Sequence, residues 1–167
     1  QLSLDPSTAP PQLLVSEDRR RLSWAEAPEA STAPQGLEAA PCVLSSESFT
    51  SGSCCWEVEV NPKGSWALGV ALEKEKEEEE EEEKKEGDEE DEEEEEEEEV
   101  WSLGLCQGQL WALTSLQQLP LGQVEVPRRV RVALDCQQGL VAFFNAHSTA
   151  SILSLPTASC QGGRFRP

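Results

Sequence analysis

The apolar residues of this chain fall in short alternating runs separated by proline and glycine, and that pattern limits the fold more than any other feature of the sequence. From Cys55 the run Trp56-Glu57-Val58-Glu59-Val60 alternates apolar and acidic side chains, the period of a half-buried strand. Asn61-Pro62-Lys63-Gly64 reads as a turn, and Ser65 to Leu72 returns with Trp66, Leu68 and Val70 on one face. Val100 to Leu105 predicts a third strand, and Gln107-Gly108 a turn into Leu110 to Leu113. Arg129 to Leu134 alternates cleanly, Gln137-Gln138-Gly139 turns into Leu140 to Phe144, and Ser151 to Leu155 is a last short strand. Eleven prolines break most helical windows. Many short strands joined by turns predict an all-β fold, an antiparallel two-sheet sandwich or barrel, with no internal repeat.

Charge is the second constraint. The net charge is -20, but residues 73–99 hold 22 acids and 4 lysines, so the remainder is close to neutral. The low isoelectric point therefore reports on an insertion and not on the fold. Like charges at i, i+4 oppose a helix there, and no apolar residue anchors the run to a core; we expect a solvated, disordered loop with transient helix at low pH. Such a polyanion repels phosphate, which argues against nucleic acid and anionic membrane as partners and in favour of basic proteins. No apolar run reaches the roughly 20 residues of a membrane span. The N-terminus lacks a basic start and an apolar stretch, so no signal peptide is expected, and the start at Gln1 suggests a piece of a longer protein. The 167 residues suit one domain. The six cysteines, Cys42, Cys54, Cys55, Cys106, Cys136 and Cys160, form no C-x-x-C pair. They predict reduced, mostly buried thiols in a cytoplasmic or nuclear setting, with Cys54 and Cys55 on opposite faces of one strand.

Six motifs in order carry a family resemblance. Leu4-Asp5-Pro6-Ser7-Thr8-Ala9 with Leu14-Val15-Ser16-Glu17-Asp18-Arg19-Arg20 resembles a PRY opening. Phe49-Thr50-Ser51-Gly52 running into Trp56-Glu57-Val58-Glu59-Val60 resembles the first strong SPRY motif. Trp66-Ala67-Leu68-Gly69-Val70, Val100-Trp101-Ser102-Leu103-Gly104, Pro127-Arg128-Arg129-Val130 with Leu134-Asp135, and Gly139-Leu140-Val141-Ala142-Phe143-Phe144-Asn145 are similar to those that follow. The chain thus resembles the PRY-SPRY (B30.2) module of tripartite-motif ubiquitin ligases, with a PRY-like part over 1–50, a SPRY-like part over 51–167 and the Glu-rich insertion at 73–99. The resemblance implies a bent antiparallel two-sheet β-sandwich, a concanavalin-like jelly roll. It implies a non-catalytic module that selects protein substrates, in the setting of innate immunity. A RING finger elsewhere would recruit the ubiquitin-charged enzyme, and zinc would sit only in RING or B-box domains outside this chain. Oligomerisation would also lie outside it. The family pattern continues past the equivalent of Arg166-Pro167 with another strand, so a truncated or divergent member is expected. Cys55 replaces an aromatic, and Gly104 and Cys106 stand where members with a deep aromatic pocket carry aromatics; the resemblance then implies a shallower surface.

Among single residues, Trp56, Trp66 and Trp101 read as core because each alternates with apolar neighbours. Trp24 and Trp111 are less tied to such patterns. The resemblance places the contact face at loops near 19–27, 63–67, 106–118 and 143–148, next to the acidic loop. Its candidate partner-binding residues are Arg19, Arg20, Trp24, Ala67, Gly104, Cys106, Trp111, Phe143 and Asn145. Arg19-Arg20-Arg21 would grip an acidic peptide or the chain's own acidic loop, against a reading as solvated charge. Phe143 belongs either to the ligand face or to the core, and Asn145 makes a strand-ending turn. His147, the only histidine, lies in a polar turn with no triad pattern beside it, and the scattered cysteines offer no four-ligand zinc set. No phosphate-binding glycine loop is present. A second function remains open: a scaffold that displays the polyacidic tract to basic proteins such as histone-like tails.

Overall fold

The computed structural model describes residues 2–24, 41–74, 99–158 and 163–167. The acidic run from 75 to 98, residues 25–27 of the expected contact face, and Cys160 lie outside the described residues.

One turn of 3-10 helix, Pro6–Thr8, is capped by the Asp5 carboxylate, which accepts from the Ser7 N–H. A hairpin of β1 (Leu13–Val15) and β2 (Leu22–Trp24) follows. The body consists of β3 (Ser53–Glu59), β4 (Trp66–Lys74), β5 (Glu99–Cys106), β6 (Gln109–Thr114), β7 (Gln118–Pro120), β8 (Arg129–Asp135), β9 (Leu140–Asn145), β10 (Ser151–Pro156) and β11 (Gly163–Arg166). They form two antiparallel sheets in the orders β10-β9-β8-β3 and β11-β4-β5-β6-β7. Of the sandwich and the barrel that the alternation left open, the two-layer sandwich is present, as the resemblance implied.

The turns show why the strands end where they do. At Asn61–Gly64 the Asn61 carboxamide accepts from the Lys63 N–H at 3.0 Å, and the Asn61 carbonyl accepts from the Gly64 N–H and the Trp66 indole. Gln107 and Gly108 both carry positive φ, 50° and 76°, the geometry of a two-residue hairpin turn matched to sheet twist. At the β8–β9 turn the Asp135 carboxylate accepts from the Gln137 and Gln138 N–H groups, and Gly139 takes φ 66°.

Alternation sorts the side chains. Val70, Leu72, Trp101, Leu103, Leu105 and Leu110 face Val130, Val132, Leu134, Val141 and Phe143 across the sandwich. Phe165 on β11 closes one edge, fully buried, with its ring 5.9 Å from Trp101. Full burial of one such aromatic contributes about 1.5–3 kcal/mol. Trp56 and Trp66 pack against this core from half-buried positions, and Phe49 stacks on Trp56 at 6.0 Å. The sequence pattern missed β1, β2, β7 and β11. Each has only three or four residues, too few to display a period.

The N-terminal segment is fastened to the edge strand β11. Phe49 and Phe165 exchange backbone hydrogen bonds at 2.8 Å, and the Ser45 N–H donates to the Pro167 carbonyl. Arg166 is the clasp: its guanidinium reaches Asp5 at 3.3 Å, Glu73 at 2.8 Å and the Ser45 carbonyl at 2.8 Å. Burial works to raise the Glu73 carboxyl, but hydrogen bonds from Arg166 and Arg164 outweigh it and hold it below its ordinary value.

Candidate functional site: the outer face of the five-stranded sheet

The register of β4 to β7 brings side chains distant in sequence into one transverse row. Ala67 lies opposite Gly104, Gly104 opposite Trp111, and Trp111 opposite Pro120. All point away from the core, because their strand neighbours Leu68, Leu105 and Leu110 point into it. Two residues beyond Gly104, Cys106 lies opposite Gln109 on the same face and is exposed. Of the candidates named from sequence, Ala67, Gly104, Cys106 and Trp111 therefore share one surface.

This surface is shallow for a physical reason. A Cβ at Gly104 would sit 2.6 Å from Leu113 Cδ1, so the Leu113 side chain lies across the glycine. In the next row a Cβ at Gly69 would fall 2.0 Å from the Trp101 carbonyl oxygen, which makes that position glycine by necessity. The face combines one half-buried indole, one leucine, one proline and exposed Ala67 on a floor of small residues. Leu113 and Pro120 were missed in the sequence. The alternation of Trp111 with Leu113 was the signal for the first, and β7 was too short to signal the second.

The remaining candidates lie elsewhere. Phe143 is fully buried between the sheets, so the ligand-face alternative gives way to a core role; it alternates with Val141 on the inner side of β9. Asn145 is buried too, and its carboxamide oxygen accepts from the His147 and Ser148 N–H groups to end β9 in a turn. Arg19 and Arg20 are exposed on the β1–β2 turn, where the Arg19 carbonyl accepts from the Leu4 N–H at 2.7 Å. Through Leu4, Asp5 and Arg166 that turn belongs to the β11 edge, three strand spacings or about 14 Å from β6. Trp24, 64% exposed, is on β2 opposite Leu13.

The expected neighbourhood of the acidic tract also changes. Asn61–Ser65, the Gln107–Gly108 turn, residues 121–128 and residues 145–149 cluster at one end of the sandwich, because β3 delivers the chain there to β4. A groove of about 560 Å³ lies at this end between Gly108–Leu110 and Gly122–Glu125. Glu73, Lys74 and Glu99, which bound the tract, stand at the opposite end of the β4–β5 pair, with Lys74 and Glu99 joined at 3.3 Å. The two ends are separated by about seven residues of strand, or roughly 23 Å. Of the expected contact loops, the turn at 115–117 is at the tract's end, since the Val100 N–H donates to the Ser115 hydroxyl.

The cysteines are less buried than expected. Cys55 and Cys106 are exposed, as is Cys42, while Cys54 is half-buried and Cys136 buried. The strand alternation explains this: Cys55 and Cys106 fall on outward positions, and Cys54 and Cys55 do face opposite sides. Burial and the neighbouring Cys55 both push the Cys54 thiol up. Among the described residues no cluster of His, Cys, Asp and Glu has the arrangement of a metal site, and no helix is long and apolar enough to cross a membrane.

A β-sandwich offering one shallow outer face and a cluster of loops defines a recognition domain. A family model of the SPRY domain matches residues 53–167, and one of the SPRY-associated domain, PRY, matches residues 2–49; the chain belongs to the PRY-SPRY (B30.2) family. Domains of this family are typically non-catalytic protein-interaction modules, found in RING-type ligases and in butyrophilins. The chain is 33% identical to butyrophilin subfamily 1 member A1 of Bos taurus over 165 residues, covering 96% of this chain and 28% of that protein. It is 32% identical to RING finger protein 39 of Homo sapiens over 184 residues, covering 99% of this chain and 41% of that protein. The chain thus spans less than half the length of either relative. The crystal structure of the TRIM65 PSpry domain superposes with a TM-score of 0.60 at 19% identity, covering 99% of this chain and 82% of that one. The stonustoxin structure gives 0.63 at 16%, covering 99% and 25%; both likenesses concern the fold.

Proposed function

We propose that this domain selects protein substrates for a RING-type ubiquitin ligase, using the outer face of the five-stranded sheet. The observation that carries the reading is the row Ala67, Gly104, Trp111 and Pro120, an uncharged surface with an indole at its centre. Such a face suits an apolar or aromatic side chain of a protein partner, with Trp111 as the rigid anchor. The likeness to RING finger protein 39 supports the ligase setting, and the unpaired thiols at Cys55 and Cys106 fit a reducing compartment, the cytoplasm or nucleus. The domain carries no cofactor of its own in this reading.

The test is proximity labelling in cells by the whole protein and by its Ala67→Arg variant. Ala67 is exposed, so arginine fits without disturbing the core yet projects over the row. Loss of a reproducible set of labelled proteins, with an unchanged melting temperature, supports the reading. Retention of the whole set contradicts it.

A further inference from the structure

Away from the outer face of the five-stranded sheet, the β1–β2 turn and β2 offer a segment in which every residue from Glu17 to Trp24 is exposed. Ser16 and Asp18 shape the turn. The Ser16 hydroxyl donates to the Asp18 carboxylate and accepts from the Arg21 N–H at 3.0 Å, and that carboxylate accepts from the Arg20 N–H at 3.2 Å. The turn delivers the chain into β2, where Leu22, Ser23 and Trp24 are extended and none is buried. Three register pairs hold β2 to β1, with Ser23 opposite Leu14. Lifting β2 off β1 withdraws no buried side chain of its own, which places the segment at the low end of local stability.

The residues on this segment read Arg19-Arg20-Arg21-Leu22-Ser23-Trp24. Ser23 is the one hydroxyl residue of the whole sequence with arginine both two and three positions before it. We propose that Ser23 is a phosphorylation site for an arginine-directed serine kinase. A kinase with a carboxylate-lined substrate groove selects an extended segment by pairing with arginines upstream of the acceptor. Arg20 and Arg21 supply that pairing, and Trp24 supplies an apolar contact just past the acceptor. The Ser23 Oγ attacks the γ-phosphorus of ATP, and the kinase's catalytic aspartate takes the hydroxyl proton. The bond from that phosphorus to the β–γ bridging oxygen breaks, and ADP leaves.

The modification reverses the charge of the turn. Glu17 and Asp18 against three arginines leave residues 17–24 at a net +1, and a phosphate carries about −1.5 to −2 at neutral pH. Arg21, about 7 Å back along an extended chain, is within reach of a charge-assisted bond to the phosphoryl oxygens. The modified turn then repels the acidic groups that its arginines attract.

The test incubates the whole chain with labelled ATP and the catalytic subunit of cyclic-AMP-dependent protein kinase, an arginine-directed enzyme, and maps the product by peptide mass spectrometry. A single phosphate on Ser23 is expected, and none in Ser23→Ala. Arg20→Gln and Arg21→Gln should each lower kcat/KM about tenfold or more. Glu26→Gln should leave it unchanged, although an acid-directed kinase would use that carboxylate three residues past the acceptor. The whole chain and a synthetic peptide of residues 17–27 should react at rates within about tenfold of each other, because the fold leaves the segment exposed. The whole protein isolated from cells should carry the same phosphate, and lose it under an inhibitor of arginine-directed kinases. Phosphate only at other positions overturns the proposal, as do arginine variants that react like the parent. A chain that reacts more than a hundredfold more slowly than the peptide also overturns it, and so does an unmodified Ser23 in cells treated with a phosphatase inhibitor.

Discussion

Replacing Phe143 separates the two roles its sequence position left open. Its side chain is fully buried and belongs to the cluster that joins the sheets through Val132, Leu134 and Val141. Phe143→Ala removes the largest fully buried side chain of β9 from a packed interior. The loss combines transfer free energy with a cavity that rigid sheets fill poorly, about 3–5 kcal/mol in comparable cores. For a domain of this size each kcal/mol moves the midpoint by about 2–4 °C, so a fall of roughly 6–20 °C is expected. Differential scanning calorimetry at neutral pH measures it, with Ala67→Arg as the surface control expected within about 2 °C of the parent. A Phe143→Ala protein that melts with the parent but loses its partners would refute the core assignment and return Phe143 to a binding surface.

Other outcomes follow from the same structure. Gly69→Ala should be more disruptive than its size suggests, because the new Cβ meets the Trp101 carbonyl at 2.0 Å and Ser102 Cα at 2.6 Å; soluble yield and melting temperature should both fall. Arg166→Gln strips ion pairs from Asp5 and Glu73 at a partly buried site and should cost about 1–3 kcal/mol, read by urea unfolding. The pH dependence has a definite sign. The Glu73 carboxyl titrates below its ordinary 4.5 when folded, so its contribution is present above that value and is lost as pH falls through the lowered one. The hydrogen-exchange protection of β11, taken relative to the intrinsic rate at each pH, should fall in that acid window, and less so in Glu73→Gln. With a thiol reagent under native conditions, Cys55 and Cys106 should label in seconds, Cys54 more slowly, and Cys136 only on unfolding.

Much of the fold was legible because alternation and burial coincide. Trp56 and Val58 against Glu57 and Glu59, and Val130 and Val132 against Arg129 and Arg131, mark inner and outer faces in the sequence, and the outer residues meet as ion pairs across β3 and β8. The hairpin turns at Asn61–Gly64 and Gln107–Gly108 were legible from residue type. Tertiary context hid the rest. β11 is visible only once Phe165 is seen to pair with both Leu72 and Phe49, contacts far apart in sequence. Phe143 and Phe144 read alike locally, and only the register with β8 decides which one faces inward. Of the site, the row Ala67, Gly104, Trp111 followed from matching motifs to positions. The separation of Arg19 and Arg20 from that row, and of the tract's roots from the opposite loops, depended on strand order, which periodicity does not encode.

The most direct test of the recognition account is site-specific photo-crosslinking in cells. A photo-reactive residue would replace Ala67 on the outer face of the five-stranded sheet and, in a second protein, Ser154 on the four-stranded one. The account predicts discrete crosslinked proteins from position 67, abolished by Trp111→Ala, and none of them from position 154. The same adducts from position 154 alone, with none from 67, would place recognition on the other sheet and contradict it.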